Sequence, residues 1–281
     1  LENGWMFNIL SFDIEEYFQV SGLEQAVART GWDKHQSRVE YGANIVLDIL
    51  AKHDTKATFF ILGWIAERHA GLIKTIASQG HEIANHGYDH KLLHEMSDEE
   101  FRGDIIKTNS LLENIAGQSI IGYRAPSFSL SSNDLARFEI LSQLGFKYDS
   151  SLFPVKHFRY GKAVNIDLAP HDISRNNRIL LKEFPMTVVD YFGRRIPAGG
   201  GGYFRLYPDF FLRMNFRKVN RQKRPVIIYL HPWEFDPDQP RLSGAGFGNT
   251  FRHYYNLRGT KSKLESILRE FKFVPFRDFL Q

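Results

Sequence analysis

Four short stretches of this 281-residue chain combine residue types that can move protons or hold a cation. The first is Asp13-Ile14-Glu15-Glu16, which ends the apolar run Phe7–Ile14. Side chains alternate along a strand, so Asp13 and Glu15 share one face while Ile14 points the other way. Two neighbouring carboxylates at the end of an apolar strand are costly unless a cation or an Arg compensates them. The second is a histidine cluster: His81, His86, His90 and His94, four of the 11 histidines, fall within residues 81–94. His86 and His90 stand in NHGYDH, and an H-x-x-x-H pair can put both rings on one side of a turn or first helical turn, which suits a divalent metal. The third is Tyr123-Arg124-Ala125-Pro126-Ser127, whose Arg can clamp a carboxylate bidentately. The fourth is YLHPWE at 229–234, where His231 ends an apolar run and is a candidate general acid.

Each stretch alone also fits an ordinary strand end, with solvated carboxylates, an exposed Arg or a structural His. Their common position carries more weight, because each follows a run that reads as a strand. Strand patterns occur at Phe7–Ile14 and at 57–63, 81–86, 119–124, 147–150, 225–230 and 273–276. Helical patterns lie at 43–53, from 63 to 79, after the capping box Ser97–Glu100, from the Ser131–Asp134 cap to Leu144, and at 261–271. Strand then helix, repeated with short connections, predicts an α/β fold whose parallel sheet is closed or nearly closed into a barrel. The strand ends of such a barrel collect residues distant in sequence at one rim. Residues of about 153–202 break the rhythm and read as an irregular, loop-rich insertion within a single domain over 1–281. The glycine run 199–202 within them reads as a close backbone approach or a lid, and the last part of the chain, about 195–281, continues from it.

Composition removes several alternatives. With no Cys there is no disulfide, thiolate nucleophile or thiolate metal site, so any metal must use His and carboxylate. Two His and one carboxylate form a set that leaves positions open for water. The net charge of +4 is a weak excess, and the basic stretch 213–224 reads as a solvated helix face, so nucleic acid is not an expected partner. No apolar run reaches the roughly 18–20 residues of a membrane span. The opening LENGWMFNIL lacks the charged head and cleavage site of a signal peptide. A cytoplasmic location is the expectation, with a periplasmic or exported one left open.

The order FDIE, NHGYDH, RAPS, YDSS and YLHPWE resembles the polysaccharide deacetylases, carbohydrate esterase family 4. SFDIEEYFQV, IPAGGGGYFR and LHPWEFDPDQPR further resemble the exosortase-associated exopolysaccharide-locus subgroup. The resemblance implies a distorted (β/α)7 barrel and metal-dependent removal of N-acetyl groups from amino sugars of a surface polysaccharide or its precursor. It implies His86 and His90 as metal ligands, Arg124 as the residue holding the catalytic carboxylate, and His231 as the catalytic acid. The family's usual adjacent Asp-Asp is absent; Ile14 cannot bind metal, and the D-x-E spacing makes Asp13 the base and Glu15 the third ligand, with swapped roles as the alternative. The implied cofactor is a divalent metal, Zn2+ first, with Co2+, Ni2+ or Mn2+ as alternatives. Ser127, Tyr203 and Trp233 are expected to contact the carbohydrate, Ser127 near a backbone N–H for the oxyanion and the aromatics by stacking. Asp149 stands where the family's orienting Asp lies, but the Trp that usually follows is missing. Two other readings compete: hydrolysis of another C–N substrate such as a formamide or cyclic imide, and an inactive carbohydrate-binding homologue.

Overall fold

The computed structural model describes residues 6–24, 26–155 and 166–280. The chain begins with β1 (Phe7–Ile14) and α1 (Val39–Lys52), then β2 (Thr58–Ile61), α2 (Gly63–Arg68), α3 (Ala70–Ser78), β3 (Glu82–Asn85) and α4 (Asp98–Ala116). It continues through β4 (Gly122–Tyr123), α5 (Leu135–Gln143), β5 (Tyr148–Asp149), β6 (His171–Arg175), β7 (Arg178–Glu183), β8 (Val188–Tyr191) and β9 (Arg194–Pro197). Last come α6 (Gly201–Leu206), α7 (Asp209–Arg221), β10 (Ile227–Leu230), α8 (Phe247–Tyr254), α9 (Leu257–Glu270) and β11 (Lys272–Val274).

Seven strands form a parallel array in the order β10-β1-β2-β3-β4-β5-β7, with β6 antiparallel on the far edge of β7 and β11 parallel to the start of β1. Between β7 and β10 the wall is continued by single hydrogen bonds. Met186 N donates to Leu152 O, Ala198 N to Thr187 O, and Tyr229 N to Gly199 O. The architecture is therefore the expected α/β barrel of (β/α)7 type, distorted where hairpin ends stand in for a strand.

Burial alternates along β1 between two cores. Leu10, Phe12 and Ile14 belong to the large cluster shared with the helices, whereas Ile9 packs with Phe60, Ala84, Tyr148 and Phe276 inside the barrel. Ser11 and Asp13 share the interior face with Ile9, and Ile14 is fixed in the outer layer. The helices follow their sequence signals. Ser97 and Glu100 close a capping box on α4, and Gly117, at φ 66°, ends it. The basic stretch at 213–224 ends α7, where Arg213 and Arg217 pair with Glu270.

The stretch expected to be loop-rich is more ordered than its composition implies. Its described part holds two antiparallel hairpins, β6–β7 and β8–β9, while 156–165 lie outside the described residues. The turns are Asn176-Asn177, at φ 50° and 62°, and Phe192-Gly193, at φ 53° and 79°. Consecutive positive φ values match the twist of a two-residue hairpin turn, so the Asn pair was a readable hairpin signal hidden by flanking charges. The glycine run is a close approach: a Cβ on Gly199 would lie 2.0 Å from Ile227 O, and one on Gly201 2.3 Å from Glu234 Oε1.

Candidate active site

The C-terminal ends of β1, β3, β4 and β10 meet at one rim of the barrel, around a cavity of about 510 Å³. Asp13, Glu15, His86, His90, Ser127, Tyr203, His231 and Trp233 all line it. All four stretches from which the sequence reading starts thus reach the same place, with Arg124 immediately behind the wall.

Arg124 is fully buried and spends its guanidinium on four acceptors. Nη1 donates to Asp13 Oδ1 at 2.6 Å and to Ser11 Oγ at 2.9 Å, while Nε and Nη2 hold Ser150 O and Ser150 Oγ at 3.1 and 3.2 Å. Its plane covers the Phe60 ring at 4.0 Å. A carboxylate 2% exposed needs such a charge partner, and Arg supplies it with fixed geometry.

Glu15 lies one step past the end of β1 and turns toward the two histidines of the β3 loop. Positive φ at Gly87 (76°) and His90 (58°) folds that loop back, so H-x-x-x-H acts here through a turn and not a helix. His86 Nδ1 bonds Arg124 O at 2.8 Å, which leaves Nε2 for the cavity. Glu15, His86 and His90 offer ligand atoms all within 4.8 Å of one another. Glu15 Oε2 is buried, lies 3.1 Å from His90 Nε2, and still accepts no well-formed hydrogen bond. Converging lone pairs with one orphaned buried oxygen fit a divalent cation. The protonation states fit as well. Burial raises Glu15, but His90, His231 and His86 outweigh it and bring its pKa down to about 2. Burial and His90 lower His86 to about 4 against the pull of Asp13 and Glu15. Asp13, bound to Arg124, is outside this group, and Ile14 is in the outer core.

His231 Nε2 stands 3.5 Å from Glu15 Oε1 and 4.0 Å from Asp13 Oδ2. Its Nδ1 meets Glu234 Oε1 at 2.8 Å. Glu234 is fully buried, and its other oxygen takes Arg205 Nε at 2.6 Å. Arg205 in turn donates to the carbonyls of Arg252, His253 and Tyr255. Burial alone would lower the His231 pKa, but Glu15, Glu234 and Asp13 raise it to about 9.

One expectation needs correction, and two points left open by the sequence are resolved. Trp233 cannot offer a ring face to a sugar, because its faces stack on His231 at 5.1 Å and His253 at 4.3 Å. Its indole N–H instead reaches Glu15 Oε1 at 3.3 Å. Asp149 does not orient His231; it accepts from Ser151 N and Ser151 Oγ at 2.9 and 2.6 Å, bracing the segment that holds Arg124. The role the sequence left open for it is occupied by Glu234. The four-histidine cluster also divides, since His81 is buried with its Nδ1 accepting from Ala57 N, and His94 is exposed in a turn. The site residues that motif reasoning missed are Glu234 and Arg205. Glu234 was visible as an acid three residues after His231, a spacing that closes a capping box around Pro232. Nothing local marked Arg205. Ser127 and Tyr203 do face the cavity, Ser127 at φ 50° with its Oγ against Ser21 Oγ, and Tyr203 beside Tyr207.

The polysaccharide deacetylase family model matches residues 32–148, and a domain of unknown function (DUF3473) matches residues 150–281. A peptidoglycan-N-acetylglucosamine deacetylase of Bacillus cereus is 41% identical over 90 residues, covering 32% of this chain and 33% of that protein. A peptidoglycan deacetylase of Helicobacter pylori is 32% identical over 113 residues, covering 40% of this chain and 38% of that protein. The matches thus span between 33% and 38% of these relatives' own length. A solved structure from Mycobacterium smegmatis, described as a polysaccharide deacetylase, superposes with a TM-score of 0.63 at 20% identity, over 100% of this chain and 91% of that one. An allantoinase superposes at 0.59 with 16% identity, over 97% of this chain and 88% of that one. At these identities the solved structures share the fold alone. Residues 32–148 are thus similar to the polysaccharide deacetylase family, the curated relatives are similar over parts of their length, and the solved structures share the barrel.

Proposed function

We propose that this chain is a metal-dependent N-deacetylase of amino sugars, acting on a surface polysaccharide or its precursor. The observation that carries the reading is the meeting of three sets of groups on one cavity: Asp13 on Arg124, Glu15 with His86 and His90, and His231 on Glu234. A divalent cation held by Glu15, His86 and His90, with Zn2+ as first choice and Co2+, Ni2+ or Mn2+ as alternatives, would supply Lewis acidity toward an acetamide carbonyl and toward water.

Asp13 keeps Oδ1 on Arg124, which leaves Oδ2 toward the cavity to accept a proton from an attacking water. His231 presents Nε2 to the same space, and the carboxylate of Glu234 at its Nδ1 favours the protonated ring, so it can protonate the departing sugar amine. Glu234 holds the ring through Nδ1, so the transferable proton sits on the cavity side. General acid–base assistance of this sort contributes about 10²–10⁴-fold. Tyr203 and Ser127 both line the cavity and are proposed to contact the carbohydrate. The finer assignment, to the exosortase-associated exopolysaccharide-locus subgroup, rests on SFDIEEYFQV, IPAGGGGYFR and LHPWEFDPDQPR.

The test combines metal content with product. Elemental analysis should find near-stoichiometric divalent metal in the wild type and a loss of it in Glu15→Ala. Acetate release from N-acetylated chito-oligosaccharide should need that metal and should vanish in His231→Ala while the metal stays bound. Turnover of small cyclic imides without acetate release would redirect the reading to another C–N substrate. Absence of metal and of acetate release in the wild type, with carbohydrate still bound, would make the site a binding site only.

A further inference from the structure

Away from the catalytic groups, the surface beside the cavity mouth carries an apolar stripe. Phe247, Phe251 and Tyr255 recur every four residues along α8 and its first C-terminal residue, and they are 89%, 51% and 38% exposed. Their rings follow one another at 6.5 and 5.0 Å. Leu206, at the end of α6 and 48% exposed, lines the cavity together with Phe251 and Tyr255, so the stripe is continuous with the mouth. The opposite side of α8 turns His253 inward onto Trp233, which accounts for one face of the helix and, among the described residues, leaves the aromatic face exposed.

The charge along the segment that carries the stripe has one sign. Residues 239–264 contain five Lys or Arg and no Asp or Glu. Arg252 and Arg258 are exposed, and with Arg241 they enter no ion pair among the described residues. Exposed aromatics flanked by unpaired cations are the complement of an anionic lipid surface, in which the rings enter the headgroup boundary and the cations meet phosphate. A glycan platform would draw on amide partners such as Asn249, whereas the run of unpaired cations without a carboxylate favours an anionic surface. No helix among the described residues is long and apolar enough to cross a membrane, so the attachment is peripheral.

We propose that α8 and the end of α6 dock on an anionic phospholipid bilayer and hold the cavity mouth at its surface. The inference is independent of the deacetylase reading, because vesicle binding needs no turnover. The test is co-sedimentation of the whole chain with phosphatidylglycerol-containing vesicles and with pure phosphatidylcholine vesicles, at low and at moderate salt. The expected result is at least tenfold tighter binding to the anionic vesicles, weakened by salt. Phe247→Ser/Phe251→Ser and, separately, Arg252→Gln/Arg258→Gln should each weaken it about tenfold. Phe247→Ser alone guards against misfolding, since that side chain is almost fully exposed and outside the cavity lining, and it should weaken binding severalfold with an unchanged thermal melt. No preference for anionic vesicles, or equal binding by the variants, would overturn the proposal. So would stripe-dependent binding to insoluble chitin or peptidoglycan in place of vesicles, or stripe-dependent self-association in sedimentation velocity.

Discussion

Asp13 and Glu15, at the barrel mouth, and Asp149 and Glu183, on β5 and β7, are both pairs of carboxyl groups removed from water. The first pair is surrounded by cations and potential cations: Arg124 on Asp13, and His90, His86 and His231 around Glu15. Among the described residues, the second has no Arg or Lys of its own within hydrogen-bond reach. Burial raises the pKa of both members, Glu183 well above its ordinary value, and the negative charge of Asp149 pushes Glu183 further in the same direction. One pair is held as charge and faces a cavity; the other is held by a retained proton and faces packed backbone. Burial of acids is thus no mark of a site by itself. The mark is an acid kept ionised at the edge of a space where a ligand fits.

The sharpest way to break this contrast is to remove the charge on Asp13's partner. Arg124→Met leaves a buried carboxylate and the Ser150 acceptors without a donor, and breaking a buried ion pair in this way costs about 3–5 kcal/mol. Denaturant unfolding should show that loss, together with loss of turnover. Adding Asp13→Asn should restore much of the stability and none of the turnover. If the single variant is as stable as the wild type, Asp13 is not compensated by Arg124 and the mouth pair is no different from the inner one.

A smaller effect is expected one residue further from the chemistry. Glu234→Gln keeps the shape of the side chain but removes the anion that binds His231 Nδ1 and Arg205. The kcat for acetate release should fall about 10²-fold with KM changed little, within the range of general-acid contributions. Glu234→Asp should recover part of the loss, and 15N spectra of His231 should report the altered ring. A rise in KM with kcat intact would mean that Glu234 shapes the cavity and does not serve the proton donor.

The contrast also explains what could be read in the sequence. The barrel was legible because apolar strand runs and amphipathic helices alternate, and β1 matches its expected bounds of Phe7 and Ile14. The gathering of Asp13, Glu15, His86, His90, Arg124 and His231 followed from their places at strand ends. The hairpins at 171–197 were obscured because β6 has a single apolar residue, Ile173, and half of β9 is Arg, so the turn pairs Asn176-Asn177 and Phe192-Gly193 were the remaining signals. Arg205 could not be found from sequence, since its partner Glu234 is 29 residues away and the two meet only after α6 packs on β10. Trp233 was misassigned because exposure of a ring face depends on His253, a residue of another helix. The division between matched regions teaches the same lesson. Residues 32–148 supply His86, His90 and Arg124, whereas His231, Glu234 and Arg205 come from the part matching a domain of unknown function, and Asp13 and Glu15 precede both.

The inner pair sharpens the comparison from the other side. Glu183 keeps its proton in the folded protein above the pH at which an unfolded glutamate loses it, near its ordinary value of 4.5. The folded state therefore binds more protons than the unfolded one between that value and the raised folded pKa. Stability contributed by Glu183 is complete below about pH 4.5 and declines as pH rises through this window, at about 1.4 kcal/mol per pKa unit of difference. Glu183→Gln presents a neutral group of the same shape, and Gln can still accept from Leu152 N, as Glu183 Oε1 does at 3.0 Å. The variant should match the wild type near pH 4.5 and exceed it by about 1 kcal/mol or more at pH 8, with turnover preserved. Unfolding curves at the two pH values decide the matter. A variant that is less stable at pH 8 than the wild type would show that Glu183 is ionised, as Asp13 is. Proton retention would then no longer separate the inner pair from the mouth.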